Sequence, residues 1–149
     1  IRSDNISLNY FINTAFIDSE YIRSDVSGVI GKKVEFVPNQ NIKTGIKLGV
    51  GNFIFNTQLS YVAKQYTDSS NAKDGNISGI IGEIPSYNLI DFSIAFRYRK
   101  FKLESGVNNL TNTYYFTRRA TGYPGPGIIP SPPMNMYLTL QIKIWNLTT

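Results

Sequence analysis

The sequence contains neither cysteine nor histidine. Those two absences remove disulfides, thiol nucleophiles, imidazole general bases and most transition-metal sites together. Long apolar runs are missing as well. Even the stretch from Gly49 to Tyr61 is broken by Asn52, Asn56, Gln58 and Ser60, so the roughly 20 apolar residues of a membrane-spanning helix are not there. Nor is there a dense basic cluster. Lys and Arg outnumber Asp and Glu by 15 to 10, for a net charge of +5, but the cations are scattered, and nucleic acid is not an expected partner. The chain opens Ile1-Arg2-Ser3-Asp4, with no initiator Met and no apolar export segment. That opening is expected of a mature or truncated fragment of a longer exported protein.

What the sequence does have is alternation. Ile90, Phe92, Ile94, Phe96 and Tyr98 interleave with Asp91, Ser93, Ala95, Arg97 and Arg99, a period of two that places apolar side chains on one face of a strand and polar ones on the other. The same pattern recurs near residues 5–19, 41–50, 53–67, 101–112 and 135–145. Ten Tyr and nine Phe add the aromatic content that interfacial girdles require, and Tyr114-Tyr115-Phe116 is the cluster best suited to a membrane–water boundary.

The connections alternate in length. Gly49-Val50-Gly51-Asn52 and Arg99-Lys100 are tight-turn sequences, whereas three long polar loops separate the other strands. Short turns on one side and long loops on the other are the stringing of an outer-membrane barrel. About six strands fall short of the roughly eight with which single-chain barrels begin, and open edges are not tolerated in hydrocarbon. The expectation is therefore an all-β, antiparallel, up-and-down transmembrane barrel segment that is one piece of a larger wall. A soluble lipocalin-like carrier, with its apolar face turned inward, stays open on this pattern alone. So does a small surface barrel or adhesin whose loops bind a partner.

Several motifs are more specific. Asn108-Asn109-Leu110-Thr111-Asn112-Thr113-Tyr114-Tyr115, then Phe116-Thr117-Arg118-Arg119, Gly122 to Gly127 and a final alternating strand, stand in a fixed order. Upstream come Gly31 to Pro38, Tyr61-Val62-Ala63-Lys64-Gln65-Tyr66-Thr67-Asp68, and Gly82-Glu83-Ile84-Pro85-Ser86-Tyr87 followed by Asp91. In this order the set resembles the C-terminal barrel of TonB-dependent outer-membrane receptors, in particular the ferric-citrate and ferric-siderophore branch. The resemblance implies about six strands of a 22-stranded barrel, residues 1–149 forming a C-terminal fragment with the plug domain and TonB box missing. It implies energy-coupled uptake of a ferric chelate across the cell outer membrane of a Gram-negative bacterium. The implied partners are the ferric chelate, the TonB complex acting through the missing plug, outer-membrane lipid with lipopolysaccharide, and the barrel-assembly machinery. No cofactor and no enzymatic activity are implied. A receptor of the same kind for cobalamin, an oligosaccharide or a peptide remains an alternative cargo reading.

Some positions depart from the family pattern. Gln40 stands where the family often has His, Glu35 where it often has Pro, and Ile144 at the usual terminal Phe, with Trp145 to Thr149 beyond it. For ligand contact, Arg118 and Arg119 with Tyr114 and Tyr123 are the candidates, because a guanidinium fork matches a carboxylate bidentately. Lys32, Lys33 and Lys64 are weaker candidates. Asp91 and Glu104, near Arg97, Arg99 and Lys102, are expected to form a cross-strand charge ladder inside the barrel rather than an acid–base pair. Gly28 to Lys33 lacks the spacing and the following helix of a phosphate loop.

Overall fold

Alternation becomes strands because each face meets a different phase. The computed structural model describes residues 2–3, 5–122 and 125–144. Its strands are β1 (Arg2–Ser3), β2 (Ile6–Phe16), β3 (Gln40–Val50), β4 (Phe53–Val62), β5 (Gln65–Tyr66), β6 (Glu83–Ile84), β7 (Tyr87–Tyr98), β8 (Phe101–Asn108), β9 (Phe116–Ala120), β10 (Gly127–Pro130) and β11 (Asn135–Ile142). One antiparallel sheet runs β1-β2-β3-β4-β7-β8-β11, and two small ribbons, β5-β6 and β9-β10, stand apart from it. The sheet does not close on itself. Strands of 10 to 12 residues in β2, β3, β4 and β7 are about the length that crosses a bilayer.

Register is continuous along each pair of the main sheet. Ile6 pairs with Val50 and Phe16 with Gln40, while Phe53 pairs with Phe96 and Val62 with Tyr87. A slip of one residue would exchange the two faces. The tight connections fall at Gly51-Asn52 and Arg99-Lys100, where Gly51 (φ 53°) and Arg99 (φ 51°) take left-handed backbone. The long loops span 17–39, 63–86 and 109–134.

The structure shortens three expected strands. β2 ends at Phe16 rather than Ser19, and β4 ends at Val62 rather than Thr67. β8 ends at Asn108 rather than Asn112, and here the cause is explicit. Asn109 turns to φ 52°, its Oδ1 accepts from Thr113 N at 2.8 Å, and its Nδ2 donates to Thr113 O at 2.9 Å. Short polar side chains that bond local backbone compete with the ladder, so the Asn-Leu-Thr-Asn motif is a strand terminator. At the other end of the sheet β11 stops at Ile142; Trp145 and the tail after it lie outside the described residues.

The two faces differ in kind. Large apolar side chains on one face are open, with Tyr10 63%, Met136 72% and Leu138 71% exposed. On the other face Ser93 and Ala95 are buried, and a hollow of about 440 Å³ is lined by Asn9, Lys47, Asn56, Asp91, Asn108 and Tyr137 among others. A hollow reaching from β2 to β11 lies on the concave side, so the convex side is the apolar one. The total surface is 10907 Å², against roughly 7,600 Å² for a soluble globular monomer of this mass. One curved layer with its apolar residues outside is a membrane wall, the reverse of a lipocalin.

The convex rim at the tight-turn end is aromatic. Phe53 packs against Phe96 with ring centroids 5.0 Å apart and against Phe55 at 6.3 Å, while the Arg99 guanidinium lies 5.4 Å from the Tyr98 ring. Such rims mark the headgroup level. The Tyr114-Tyr115-Phe116 cluster, expected to form an interfacial patch, divides instead. Tyr114 is exposed, Tyr115 packs on Tyr87 at 4.7 Å, and Phe116 lies beneath Arg119.

Candidate functional site

At the loop end, side chains knit the three long loops together. Asn71 clamps the backbone of Lys33: its Oδ1 accepts from Lys33 N at 2.7 Å and its Nδ2 donates to Lys33 O at 2.8 Å. Phe36 N donates to Tyr66 O at 2.9 Å, a second tie between loops 17–39 and 63–86. Glu35, the departure from the family's Pro, accepts from Tyr21 Oη at 2.5 Å. This hydrogen bond raises the Tyr21 phenol above its ordinary pKa. Gln40 opens β3 opposite Phe16, and its carbonyl accepts from Ala63 N.

Arg118 and Arg119 are neighbours with different fates. In the β9-β10 ribbon Arg119 faces Ile128 and Arg118 faces Ile129. Arg119 turns toward loop 63–86, donating Nη1 to Gly79 O at 2.9 Å and Nη2 to Glu83 O at 3.0 Å. Its Cζ sits 5.2 Å from the Phe116 ring, and its Nε is buried without a hydrogen-bond partner. Gly82 (φ 137°) admits this close approach, since a Cβ there would fall 3.2 Å from Arg119 Nη2 and 3.0 Å from Gly75 Cα. Arg118 is exposed. Both arginines border an open hollow of about 350 Å³ with Thr121, Gly122 and Ile129. Tyr114 is not among its lining residues, and Tyr123 lies outside the described residues.

Of the three candidate lysines, Lys33 and Lys64 are held in ion pairs, and Lys32 has none among the described residues. Lys33 Nζ reaches Asp18 and Glu20 at 2.6 Å each, and its pKa is raised by the Asp18 hydrogen bond first and the Glu20 bond next. Lys64 Nζ meets Glu83 at 2.9 Å, which raises its pKa too. A cation already held by carboxylates has less to offer an anionic ligand, which leaves Arg118 as the free guanidinium of this set.

On the concave face, the expected cross-strand ladder takes another form. Glu104 pairs with Lys102 on its own strand at 2.5 Å and accepts from Tyr137 Oη at 3.1 Å. Asp91 accepts from Asn109 N at 2.9 Å and so anchors the strand terminator. Asn56 Nδ2 donates to Ser93 Oγ at 3.2 Å. No group of three or more His, Cys, Asp or Glu that could hold a metal ion occurs among the described residues.

No family model matches the sequence. Solved structures do. The chain superposes on the ferric citrate transporter FecA in its unliganded form with a TM-score of 0.83, 24% identity, and coverage of 93% of this chain and 21% of that one. The fold is that of a TonB-dependent receptor's barrel wall. The siderophore receptor PiuA from Acinetobacter baumannii matches with TM-score 0.74 and 20% identity, covering 94% of this chain and 20% of that one. The ferric yersiniabactin uptake receptor FyuA from Yersinia pestis matches with TM-score 0.75 and 18% identity, covering 96% and 22%. The chain thus spans about one fifth of the length of these receptors. The matched receptor walls are transporters, not enzymes.

Sequence reasoning missed the inter-loop work of Asn71 and Arg119. The available signal was Asn71 within a polar loop, a residue type that accepts left-handed backbone (φ 55°) and bonds it. No local pattern distinguishes Arg119 from Arg118.

Proposed function

We propose that this chain is the C-terminal part of the barrel of an outer-membrane receptor that takes up a ferric chelate, coupled to TonB through a plug domain carried elsewhere in the protein. The observation that carries the reading is the match over 93% of the chain to a ferric citrate transporter, supported by the siderophore receptors that share the wall. In this reading the convex face meets lipid and the loop end faces outward, with lipopolysaccharide around it. The barrel-assembly machinery inserts the wall. The ligand, a ferric citrate or carboxylate siderophore, meets Arg118 at the vestibule, with Tyr114 and Tyr123 as further contacts. Arg119 contributes by holding the loops and reaches the ligand only if those carbonyl bonds exchange.

The test uses the complete protein in a Gram-negative strain lacking its own ferric-citrate receptor, with labelled ferric citrate and labelled carboxylate siderophores. Binding and TonB-dependent uptake of one of them are expected. Arg118→Ala should raise Kd by about tenfold, the scale of one lost charge-assisted hydrogen bond. Uptake without TonB, or binding of none of these chelates, would overturn the reading. A second reading, a receptor for a different metal, is favoured by one neighbour, the copper transporter OprC, with TM-score 0.58 and 20% identity over 75% of this chain and 18% of that one. Copper uptake without ferric-chelate uptake would select it.

A further inference from the structure

The β7–β8 turn carries a feature that cargo uptake at the loop end does not use. Tyr98 pairs with Phe101, and Phe101 with Ile142, so these residues form one row across β7, β8 and β11 at the end of the convex face. Phe96, Leu103 and Leu140 form the next convex row inward. All of them are exposed. Beyond the first row the chain turns at Arg99-Lys100, and Lys143 N donates to Lys100 O at 2.9 Å, which sets Lys143 opposite Lys100. An open hollow of about 680 Å³ lies at this end. Phe101 and Ile142 border it from the convex side, Arg97 and Gln141 from the concave side, and Arg99, Lys100 and Lys143 at the tip. Residues of both faces border it, so it sits across the end of the sheet and not inside the barrel.

The charge at the tip is unbalanced. Lys102 is held by Glu104 at 2.5 Å, but Arg99, Lys100 and Lys143 have no ion-pair partner among the described residues. Like charges directly opposite on adjacent strands are destabilising, so Lys100 and Lys143 hold a position that an anion would relieve. Arg99 lies over Tyr98, its Cζ 5.4 Å from the ring centroid. A guanidinium stacked by one face keeps its N–H edge for the oxygens of a phosphate. The other tight turn, Val50-Gly51-Asn52-Phe53, carries no charge. The cation cluster is therefore a property of this turn and not of the rim in general.

We propose that the β7–β8 turn docks an anionic glycerophospholipid of the leaflet at the tight-turn side, its phosphate held by Arg99, Lys100 and Lys143 and its acyl chains laid along the two convex rows. The order cation, aromatic, aliphatic along the wall matches the order headgroup, interface, acyl chain along a lipid. A headgroup of net negative charge, as in phosphatidylglycerol, fits best. No carboxylate borders the hollow among the described residues, so the ammonium of an ethanolamine or choline headgroup finds no counter-ion there. An acidic peptide would meet the same cations but leave both apolar rows uncovered. The inference deepens the membrane-wall reading on which it rests, and it does not depend on the identity of the cargo.

The experiment places a photo-crosslinking benzoylphenylalanine at Ile142 of the complete protein. Vesicles of phosphatidylcholine, phosphatidylethanolamine and phosphatidylglycerol in equal parts receive it, and mass spectrometry identifies the lipid adducts. Phosphatidylglycerol should exceed its share by about fivefold, the factor for one basic residue near an anionic lipid surface. Arg99→Gln combined with Lys100→Gln and Lys143→Gln should return the adducts to bulk proportion, whereas Lys100→Arg combined with Lys143→Arg should keep the enrichment. Arg23→Gln combined with Lys73→Gln, at the loop end, should leave it unchanged. The same probe at Phe53, beside the uncharged turn, should give lipid adducts in bulk proportion. Adducts in bulk proportion at Ile142, enrichment undiminished by the triple variant, or a polypeptide adduct in place of lipid overturns the inference. Heat-modifiable migration on gels verifies the folded barrel of each variant. If Phe53 takes lipid and Ile142 shows no preference, the docking claim alone fails; if neither position takes lipid, the membrane-wall reading fails with it.

Discussion

The Tyr137 ring of β11 occupies the space that a side chain on Gly106 of β8 would need. The two residues are register partners, and a Cβ built on Gly106 would overlap Cε1, Cζ and Oη of the tyrosine. Phe11 and Gly45 repeat the arrangement between β2 and β3, where the Cβ would lie 2.6 Å from Phe11 Cε1 and 2.7 Å from Thr57 O. An aromatic laid over a strand glycine restores the packing that glycine forfeits and fixes register. Gly106→Ala should therefore destabilise the wall by about 1–3 kcal/mol, the usual cost of overpacking. Tyr137→Ala combined with Gly106→Ala should recover part of that loss. Urea titration of the folded, heat-modifiable band reads both values.

The Arg119 contacts to Gly79 O and Glu83 O make loops 63–86 and 109–134 one unit. Arg119→Ala leaves two loop carbonyls without their donors, a loss of about 1–3 kcal/mol per group where burial keeps water out. Faster amide exchange over residues 75–84 is the expected result, with the β2–β3 hairpin unchanged. Arg118→Ala should leave that exchange untouched. Equal acceleration by both variants would show that Arg119 holds nothing in particular.

Alkaline pH should loosen loop 17–39 selectively. Both Lys33 and Tyr21 have folded pKa values raised above their ordinary ones, by Asp18 and Glu20 for the lysine and by Glu35 for the phenol. A raised value means that the folded loop holds the proton more tightly than the unfolded chain does. The contribution is then complete below the unfolded values, near pH 10 to 10.5, and is lost as pH rises through the higher folded values. Protease nicking within residues 17–39 should rise above pH 10 in the native protein. Lys33→Met should nick readily at pH 8 and show a smaller further rise.

Convex and concave positions should tolerate charge differently. Leu138→Arg places a guanidinium on the exposed apolar face in mid-strand, where lipid-facing Arg costs about 2–4 kcal/mol near the bilayer midplane. Thr139→Arg, one residue on, points into the concave side and should cost well under half as much. Folding yield into bilayers of defined thickness compares them.

The six long strands were legible because lipid and lumen impose a period of two, and tertiary contacts cannot override a phase boundary. Ile90 to Tyr98 shows this plainly, with its apolar set on the convex side as read. Strand ends were not legible to the same degree. Asn109 terminates β8 through its own amide and through Asp91, a contact 18 residues away that no local window contains. The ribbons β5-β6 and β9-β10 are short and sit beside Pro and Gly, so no alternation announces them. At the candidate site the residue types were legible and their roles were not. Adjacent arginines on a ribbon point in opposite directions, and only the position of Gly79 and Glu83 decides which one is held. The charge ladder failed for a related reason. Lys102 and Glu104 share one face of one strand, and that same-strand neighbour wins over a partner across the sheet.

The central claim is that this sheet spans a membrane with its even-numbered β7 residues toward lipid. A nitroxide scan from Ile90 to Tyr98, in the complete protein reconstituted in bilayers, tests it most directly. Oxygen accessibility should peak at Ile90, Phe92, Ile94 and Phe96, and a water-soluble nickel chelate should not reach those positions. Positions 91, 93, 95 and 97 should show low oxygen accessibility. The opposite phase, or a scan without a period of two, would contradict the account.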